Sequence, residues 1–312
     1  MELKTSSQIT DIRQLLKDKY KAVFVATGAQ TEKKLDIPGK ELGGVIDALQ
    51  LLRDRALDKA ESFDGRQLVV IGGGNAAVDA ARSALRLGAK NVTILYRRSR
   101  EDMPAYAEEI EEAINEGIEL HTLAIPKRIV GNGNVTGVEI VRARLGAADE
   151  SGRRKPIPIE KTETILKCDV IIVAIGQIPS TDLLTWPDGP QILPRGTVKV
   201  DRLTMATSTT GVFAAGDCVS GGSTVIEAIA GGQRAAVNID KFLGGSGRLP
   251  ADTGFAFAKP SEEELAVTAT RQVEKMMPAQ QRKLNFHEVV LGLEKEQAIR
   301  EAKRCLRCDL ED

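Results

Sequence analysis

The residues best placed to do chemistry in this chain are small ones. Gly72-Gly73-Gly74-Asn75-Ala76-Ala77 follows an apolar run, Leu68-Val69-Val70-Ile71, and precedes a stretch of helical composition that ends at Gly88. Such a turn gives Gly72 the freedom to bend sharply and lets the main chain at Gly74 approach a pyrophosphate, while Ala77 allows close helix-to-strand packing. The helix predicted over Asn75 to Leu87 would aim its free N–H groups, and the positive end of its dipole, at those phosphates. A strand predicted over Val92 to Leu95 closes the unit, and Tyr96-Arg97-Arg98-Ser99-Arg100 stands where a ribose-reading residue belongs. A reader of NAD places Asp or Glu there. Guanidinium groups suit a 2′-phosphate, which a carboxylate would repel. NADP(H) is therefore expected ahead of NAD(H); without the glycine turn the arginines would read as a solvated surface cluster.

A second candidate is Gly211-Val212-Phe213-Ala214-Ala215-Gly216-Asp217, followed by Gly221-Gly222 and Thr224-Val225-Ile226-Glu227-Ala228-Ile229-Ala230. A short strand would end at Gly216-Asp217, where a carboxylate accepts from hydroxyls. A helix would begin near Thr224, where free N–H groups can meet an electron-rich ring edge. A structural strand-loop-helix with Asp217 merely capping explains these residue types equally well. His121 and His287 are the only 2 histidines, and they fall in different segments, so a zinc site is not expected.

These residues need a scaffold, and the totals allow one. The chain has 312 residues, 42% hydrophobic and 28% charged, with a formal net charge of −1. That is enough for two compact domains, and the balanced charge argues against nucleic acid. No apolar run reaches the length of a membrane span, and residues 1–16 lack the basic start and apolar core of a signal peptide. With 4 cysteines in so long a chain a disulfide framework is poor, so a cytoplasmic setting is expected.

Ile9, Ile12, Leu15 and Leu16 recur at helical spacing, Ala22 to Ala26 reads as a buried strand ending in Thr27-Gly28, and Ile37-Pro38-Gly39 marks a turn. Asp169 to Gly176 repeats the design of an apolar strand closing on glycine. Two such strands suggest two dinucleotide-binding domains, one inserted in the other. Between them, Glu108 to Glu116 is a predicted helix with Ile110, Ala113 and Ile114 on one face, and Ile118 to Thr122 a strand. Lys127 to Val130 and Val135 to Arg144 read as a hairpin about Gly131-Asn132-Gly133-Asn134, where no helix follows to make a phosphate loop. Asp149 to Lys155 reads as a solvated basic tip, and Cys168 as inert packing.

Ala-Thr-Gly at 26 to 28, Ile-Pro-Gly at 37 to 39, Gly-Gly-Gly-Asn at 72 to 75, Tyr-Arg-Arg with Met-Pro-Ala at 96 to 105, Ala-Ile-Gly-Gln-Ile-Pro at 174 to 179 and Val-Phe-Ala-Ala-Gly-Asp at 212 to 217 resemble the small subunit of NADPH-dependent glutamate synthase and its relatives. The match runs over nearly the whole chain in family order. It implies an α/β fold of two Rossmann-like, three-layer dinucleotide-binding domains. The NADPH domain, 65–178, is inserted in a truncated FAD domain, 1–64 and 179–245, with a linker and a helical tail over 246–312. It also implies a flavoprotein oxidoreductase in which NADPH passes hydride to FAD and electrons move on to an iron-sulfur partner in a hetero-oligomer. Carried over to this sequence, Gly72, Gly74, Asn75 and Ala76 meet the pyrophosphate of NADP(H), and Arg97 and Arg98 its 2′-phosphate. Gly216 and Asp217 meet the FAD pyrophosphate and ribityl region, and Val225 and Ile226 the flavin ring. Thr27, Gly28, Gly176 and Thr224 complete the cofactor-binding candidates. No protein acid or base is demanded, because hydride moves between cofactors that the protein positions.

The resemblance departs at one place. Relatives open the FAD domain with their own strand and GxGxxG turn, whereas residues 1–64 contain only Gly28, Gly39, Gly43 and Gly44, so the chain is expected to begin partway through that domain. Near the other end, Asn285-Phe286-His287-Glu288-Val289 and the Cys305-x-x-Cys308 pair look like the start of the iron-sulfur region that relatives carry before the flavin domain. A cluster normally takes four ligands, usually thiolates. The pair would complete a cluster with a partner's cysteines, remain as a vestige, or act as a redox dithiol, which the lack of a local βαβ setting disfavours. Two rival readings of the whole stand beside this one: a non-catalytic NADP(H)-binding docking or regulatory subunit, and a disulfide reductase. The latter needs a dithiol within 65–178, where Cys168 is alone.

Overall fold

The computed structural model describes residues 2–18, 20–148, 152–248 and 270–304. It divides into two compact units, a flanking unit of residues 1–34 with 175–252 and a central unit of residues 35–174 with the tail beyond 252.

In the flanking unit, β1 (Val23–Val25) pairs in parallel with β13 (Val212–Ala214), and β2 (Thr31–Glu32) pairs antiparallel with β12 (Gln177–Ile178). Helix α1 (Ile12–Asp18) gives Ile12 to a core shared with Val25, Leu184, Val198, Val212, Ala214 and Cys218. Ile9, expected on that helix, precedes it and is exposed. Two further helices, α5 (Asp217–Ser220) and α6 (Val225–Phe242), follow β13.

The central unit is built on a five-stranded parallel sheet in the order β3-β11-β4-β5-β6. Its strands are β3 (Val45–Asp47), β4 (Gln67–Ile71), β5 (Asn91–Leu95), β6 (Glu119–His121) and β11 (Val170–Val173). Alternate residues Leu68, Val70, Val92, Ile94, Val170 and Ile172 share one core with Ala48 and Leu51 of α2 (Ala48–Ala56), Ala77, Val78 and Ala81 of α3 (Asn75–Arg86), and Ile110 and Ala113 of α4 (Ala107–Asn115). The intervening Val69, Ile71, Leu95 and Ile171 point to the other face and are buried as well. Burial on both faces is why these strands read as unbroken apolar runs; each such side chain contributes about 1.5–3 kcal/mol. Ile114, expected on the buried face of α4, is exposed.

On that second face β8 packs against β11. It belongs to an antiparallel sheet of β7 (Ala124–Asn132), β8 (Asn134–Ala148) and β10 (Thr164–Lys167), with β9 (Arg154–Pro158) also paired to β8. Gly133, at φ +76°, makes the β7–β8 turn. Two expectations need correction. Residues 35–64 fall in the central unit, not the flanking one, because β3 completes the central sheet through its pairing with β11. Arg154 and Lys155, expected on a solvated loop tip, are exposed but begin strand β9.

The described residues of the tail carry two short helices, α7 (Ala279–Arg282) and α8 (Lys295–Lys303), and an antiparallel bridge between Met276 and Val290. Arg282, only 4% exposed, enters an ionic cluster with α3 and α4. Glu116, with no exposed side-chain surface, lies 2.7 Å from Arg82 Nη2 and 2.7 Å from Arg86 Nη1. Arg282 Nε stands 2.9 Å from Glu116 Oε1, too oblique for a hydrogen bond, and its Nη1 lies 3.3 Å from Glu112 Oε2. Burial alone would raise the Glu116 carboxyl, but hydrogen bonds from Arg86 and Arg82 outweigh it and hold the group below its ordinary range. Among the described residues no helix is long and apolar enough to cross a membrane.

Candidate functional site

At the end of β4 the chain turns through Gly72, whose φ is +155° and whose added Cβ would stand 2.2 Å from the Ala174 carbonyl oxygen. Only glycine fits there. A Cβ on Gly73 would lie 2.4 Å from the Tyr96 ring. Gly74 is different: its backbone is extended, at φ −92° and ψ 175°, and an added Cβ would meet only Pro104 Cγ, at 3.9 Å. Its contribution is to leave the start of α3 bare. That helix has no side-chain cap and no acidic residue in its first turn, and the amides of Asn75 and Ala76 have no protein partner among the described residues. The Asn75 side chain is committed elsewhere, its Oδ1 accepting from Tyr106 N at 3.0 Å, while Gly73 O accepts from Ala105 N at 3.2 Å. The Met-Pro-Ala segment is thus a wall laced to the glycine turn, a role its residue types alone do not disclose.

Beyond β5 the two adjacent arginines part company. Arg97 is exposed and makes no ion pair among the described residues. Arg98 is 7% exposed, and its Nε donates to the Arg154 main-chain carbonyl at 2.7 Å. Arg100 is paired with Glu111. Asp102 accepts from Ser99 Oγ at 2.6 Å, while its main-chain carbonyl accepts from Tyr96 OH at 2.8 Å. The Ser99 hydroxyl, helped by the charges of Arg154 and Arg98, holds the Asp102 carboxyl below its ordinary range.

The flanking unit has a cleft of about 300 Å³ whose wall includes Phe24, Gly28, Gly216, Asp217, Thr224 and Val225. Gly28 and Gly216, at φ +70° and +77°, bring the ends of β1 and β13 around it. Asp217 Oδ1 accepts from the Ser223 amide and hydroxyl, both at 3.2 Å. Thr224 caps α6 reciprocally with Glu227: Glu227 N donates to Thr224 Oγ1 at 3.2 Å, and Thr224 N to Glu227 Oε2 at 3.1 Å. The Thr224 amide and then its hydroxyl hold the Glu227 carboxyl below its usual range. Val225 is 76% and Ile226 78% exposed. The exposed Thr27, Ile226 and Gly176 are not part of the cleft wall; Gly176 makes the turn before β12, its carbonyl accepting from Lys33 N at 3.0 Å.

The cleft residues fit the ring and ribityl end of a flavin nucleotide, with glycine-bared main chain, a carboxylate for hydroxyls, and apolar side chains beside two helix-start amides. No glycine turn of the α3 kind for an adenylate pyrophosphate stands among the described residues of this unit. A further cavity of about 890 Å³, walled by α3, α4 and the tail, contains none of the glycine motifs, and its Arg82, Arg86 and Glu112 are already paired. Each unit holds one described cysteine, so neither offers a dithiol among the described residues. Burial pushes the Cys168 thiol up to about 12 and raises that of Cys218; both are packing groups. Cys305 and Cys308 lie outside the described residues, among which no group of three or more potential metal ligands occurs.

Comparison with known proteins bears on both sites. A model of the pyridine nucleotide-disulphide oxidoreductase family matches residues 3–233. The chain is 42% identical to the NADP(+)-dependent formate dehydrogenase subunit beta of Moorella thermoacetica, over 95% of this chain and 43% of that protein. It is 38% identical to the glutamate synthase [NADPH] small chain of Azospirillum brasilense, over 75% of this chain and 51% of that one. The chain thus spans about half the length of these curated relatives. Among solved structures, T. acidophilum thioredoxin reductase superposes with a TM-score of 0.54 at 27% identity, covering 70% of this chain and 65% of that one.

Proposed function

The chain belongs to the pyridine nucleotide-disulphide oxidoreductase family, an FAD- and NAD(P)-binding family of α/β fold, and we propose that within it this chain is the NADPH-oxidising, flavin-linked part of an electron-transfer enzyme. The single observation that carries this reading is the start of α3: an uncapped helix without acidic residues in its first turn, reached through a glycine that no other residue can replace. The two bare amides and the helix dipole bind the pyrophosphate, and Arg97 at the end of β5 attracts the 2′-phosphate. Asn75 holds the Met-Pro-Ala wall through Tyr106.

In the flanking unit, Gly28 and Gly216 admit the ribityl chain, Asp217 accepts from its hydroxyls, and Thr224, Val225 and Ile226 present the start of α6 to the ring edge. Bound FAD would supply a two-electron acceptor for hydride from NADPH and a donor of single electrons onward. The residues themselves bind, orient and exclude water; no side chain is needed as acid or base. The buried, high-pKa Cys168 and the buried Cys218 support this over dithiol chemistry. The relatives' names, a subunit beta and a small chain, support a hetero-oligomer in which an iron-sulfur partner takes the electrons. Cys305 and Cys308 are proposed as ligands completed by that partner.

The test is the visible spectrum of the chain purified without oxygen, before and after NADPH. A flavin band that bleaches supports the oxidoreductase reading. A colourless chain that binds NADP+ favours a docking subunit instead, and one that binds neither nucleotide defeats both.

A further inference from the structure

We infer that Arg154, delivered by the β8–β9 hairpin, is a specificity residue for the 2′-phosphate, and that buried Arg98 is the positioning residue that fixes the hairpin beside the ribose. The inference rests on the reading of the central unit as an NADP(H) site.

A phosphate monoester carries about −1.5 to −2 charges at neutral pH, so one exposed guanidinium does not balance it. Arg97 is one such group. Arg98, its neighbour in sequence, is 7% exposed and spends its Nε on a main-chain carbonyl, and Arg100 is held by Glu111. A further cation that the fold brings to this end of β5 is Arg154, from a strand 56 residues away from Arg98.

The geometry of that delivery separates the two roles. Arg98 grips the carbonyl of Arg154, not its side chain, at 2.7 Å, so the hairpin is anchored whatever residue stands at position 154. The Arg154 side chain is left 53% exposed, with Nη2 3.7 Å from Asp102 Oδ2. That distance makes a loose ion pair and no hydrogen bond. Asp102 itself is fixed by Ser99 at 2.6 Å and is 17% exposed. A fixed carboxylate beside a phosphate site is a liability, and Arg154 offsets it while keeping donors for an incoming anion. Bidentate donation from its planar guanidinium is what such an anion selects.

The test is calorimetric titration of the full chain with NADP+, NAD+, 2′,5′-ADP and 5′-AMP, for the unaltered protein and for Arg154→Gln, Arg154→Lys and Arg97→Gln. Expected is a weakening of about tenfold for NADP+ and 2′,5′-ADP in Arg154→Gln, with NAD+ and 5′-AMP within about twofold and partial recovery in Arg154→Lys. If Arg154→Gln binds NADP+ normally while Arg97→Gln loses it, Arg154 is not at the phosphate and the NADP(H) site still stands. Equal loss of all four ligands in Arg154→Gln, without recovery in Arg154→Lys, makes the residue merely structural and overturns the inference. No preference for NADP+ over NAD+ in the unaltered protein overturns the site reading itself.

Discussion

Helix α3 follows β4 across a glycine turn, and α6 follows β13 by way of Gly216, the short α5 and Gly221-Gly222, and the two begin differently. The first turn of α3 has Gly74 as its cap, no acidic residue and two bare amides. That of α6 has Thr224 as a side-chain cap and the acidic Glu227 in its first turn, and Asp217 sits nearby, bonded to Ser223. Two carboxylates already occupy the positive end of the α6 dipole, and none occupies that of α3. On the proposed reading this charge pattern would accommodate a pyrophosphate at α3 and oppose one at α6, where the exposed Val225 and Ile226 would suit a neutral ring. On that reading it is what stands at the cap, not the glycines, that would select the ligand at each helix start.

The strongest way to break this contrast is to make α3 resemble α6. Gly74 is extended, with nothing nearer than 3.9 Å to an added Cβ, and Asp is among the best N-caps. Gly74→Asp should fold at least as well as the unaltered chain in a melting experiment. Its carboxylate would meet the pyrophosphate at about 4 Å, and about 4 kcal/mol of repulsion at an effective dielectric constant near 20 lowers NADP+ affinity by on the order of a thousandfold. Unchanged NADP+ titration in a folded Gly74→Asp variant would remove the phosphate from α3.

The next effect concerns what holds α3 in place. Glu116→Gln leaves the buried Arg282 and the half-buried Arg82 and Arg86 around a neutral amide, and breaking such a pair costs about 3 kcal/mol, read in a urea titration. The Glu116 carboxyl is held below its ordinary range in the fold, so its stabilisation is complete above the unfolded value of about 4.3 and is lost as pH falls through the lowered folded value. The gap between unaltered protein and Glu116→Gln should close in acid; a gap that stays constant below about pH 3 speaks against the ionic cluster.

A smaller and more selective effect is expected at the ribose end. Arg97→Glu should weaken NADP+ by about a hundredfold and NAD+ by no more than about threefold in the same titration. Equal loss for both would show that Arg97 does not read the 2′-phosphate.

How much of this was legible in the sequence depends on how local each feature is. Strand β4, the Gly72 turn, α3 and β5 follow one another along the chain, and their apolar run, glycines and alanines state the unit outright. Thr224 as the start of α6 was equally visible. By contrast, β3 is three half-buried residues and exists because β11, far along the chain, pairs with it. Which of Arg97 and Arg98 is buried depends on the arrival of β9, and Arg154 sits in a basic stretch that reads as a solvated tip until its pairing with β8 is known. The commitment of Asn75 to the Met-Pro-Ala wall was likewise hidden, since an Asn at the first helical position serves a ligand or a neighbour with equal ease.

The smallest effect tests the other half of the contrast. If the start of α6 is satisfied by its own capping box, Thr224→Ala removes the acceptor for the Glu227 amide and one donor to the Glu227 carboxylate. Loss of a Thr cap lowers the melting temperature of a domain this size by about 4 °C, with NADP+ affinity unchanged because α3 is not involved. The effect should also carry a pH signature. Glu227 is held below its usual range chiefly by the Thr224 amide and hydroxyl, so the cap contributes fully above the unfolded value of about 4.3 and fades as pH falls through the lowered folded one. A melting difference that is larger at pH 7 than near pH 3 identifies the ionised capping box, the part remaining in acid being the lost acceptor for the Glu227 amide. A difference equally large at both pH values assigns the whole loss to the hydroxyl's bond with the helix amide, and the claim that a carboxylate guards the α6 dipole against phosphate would lose its footing.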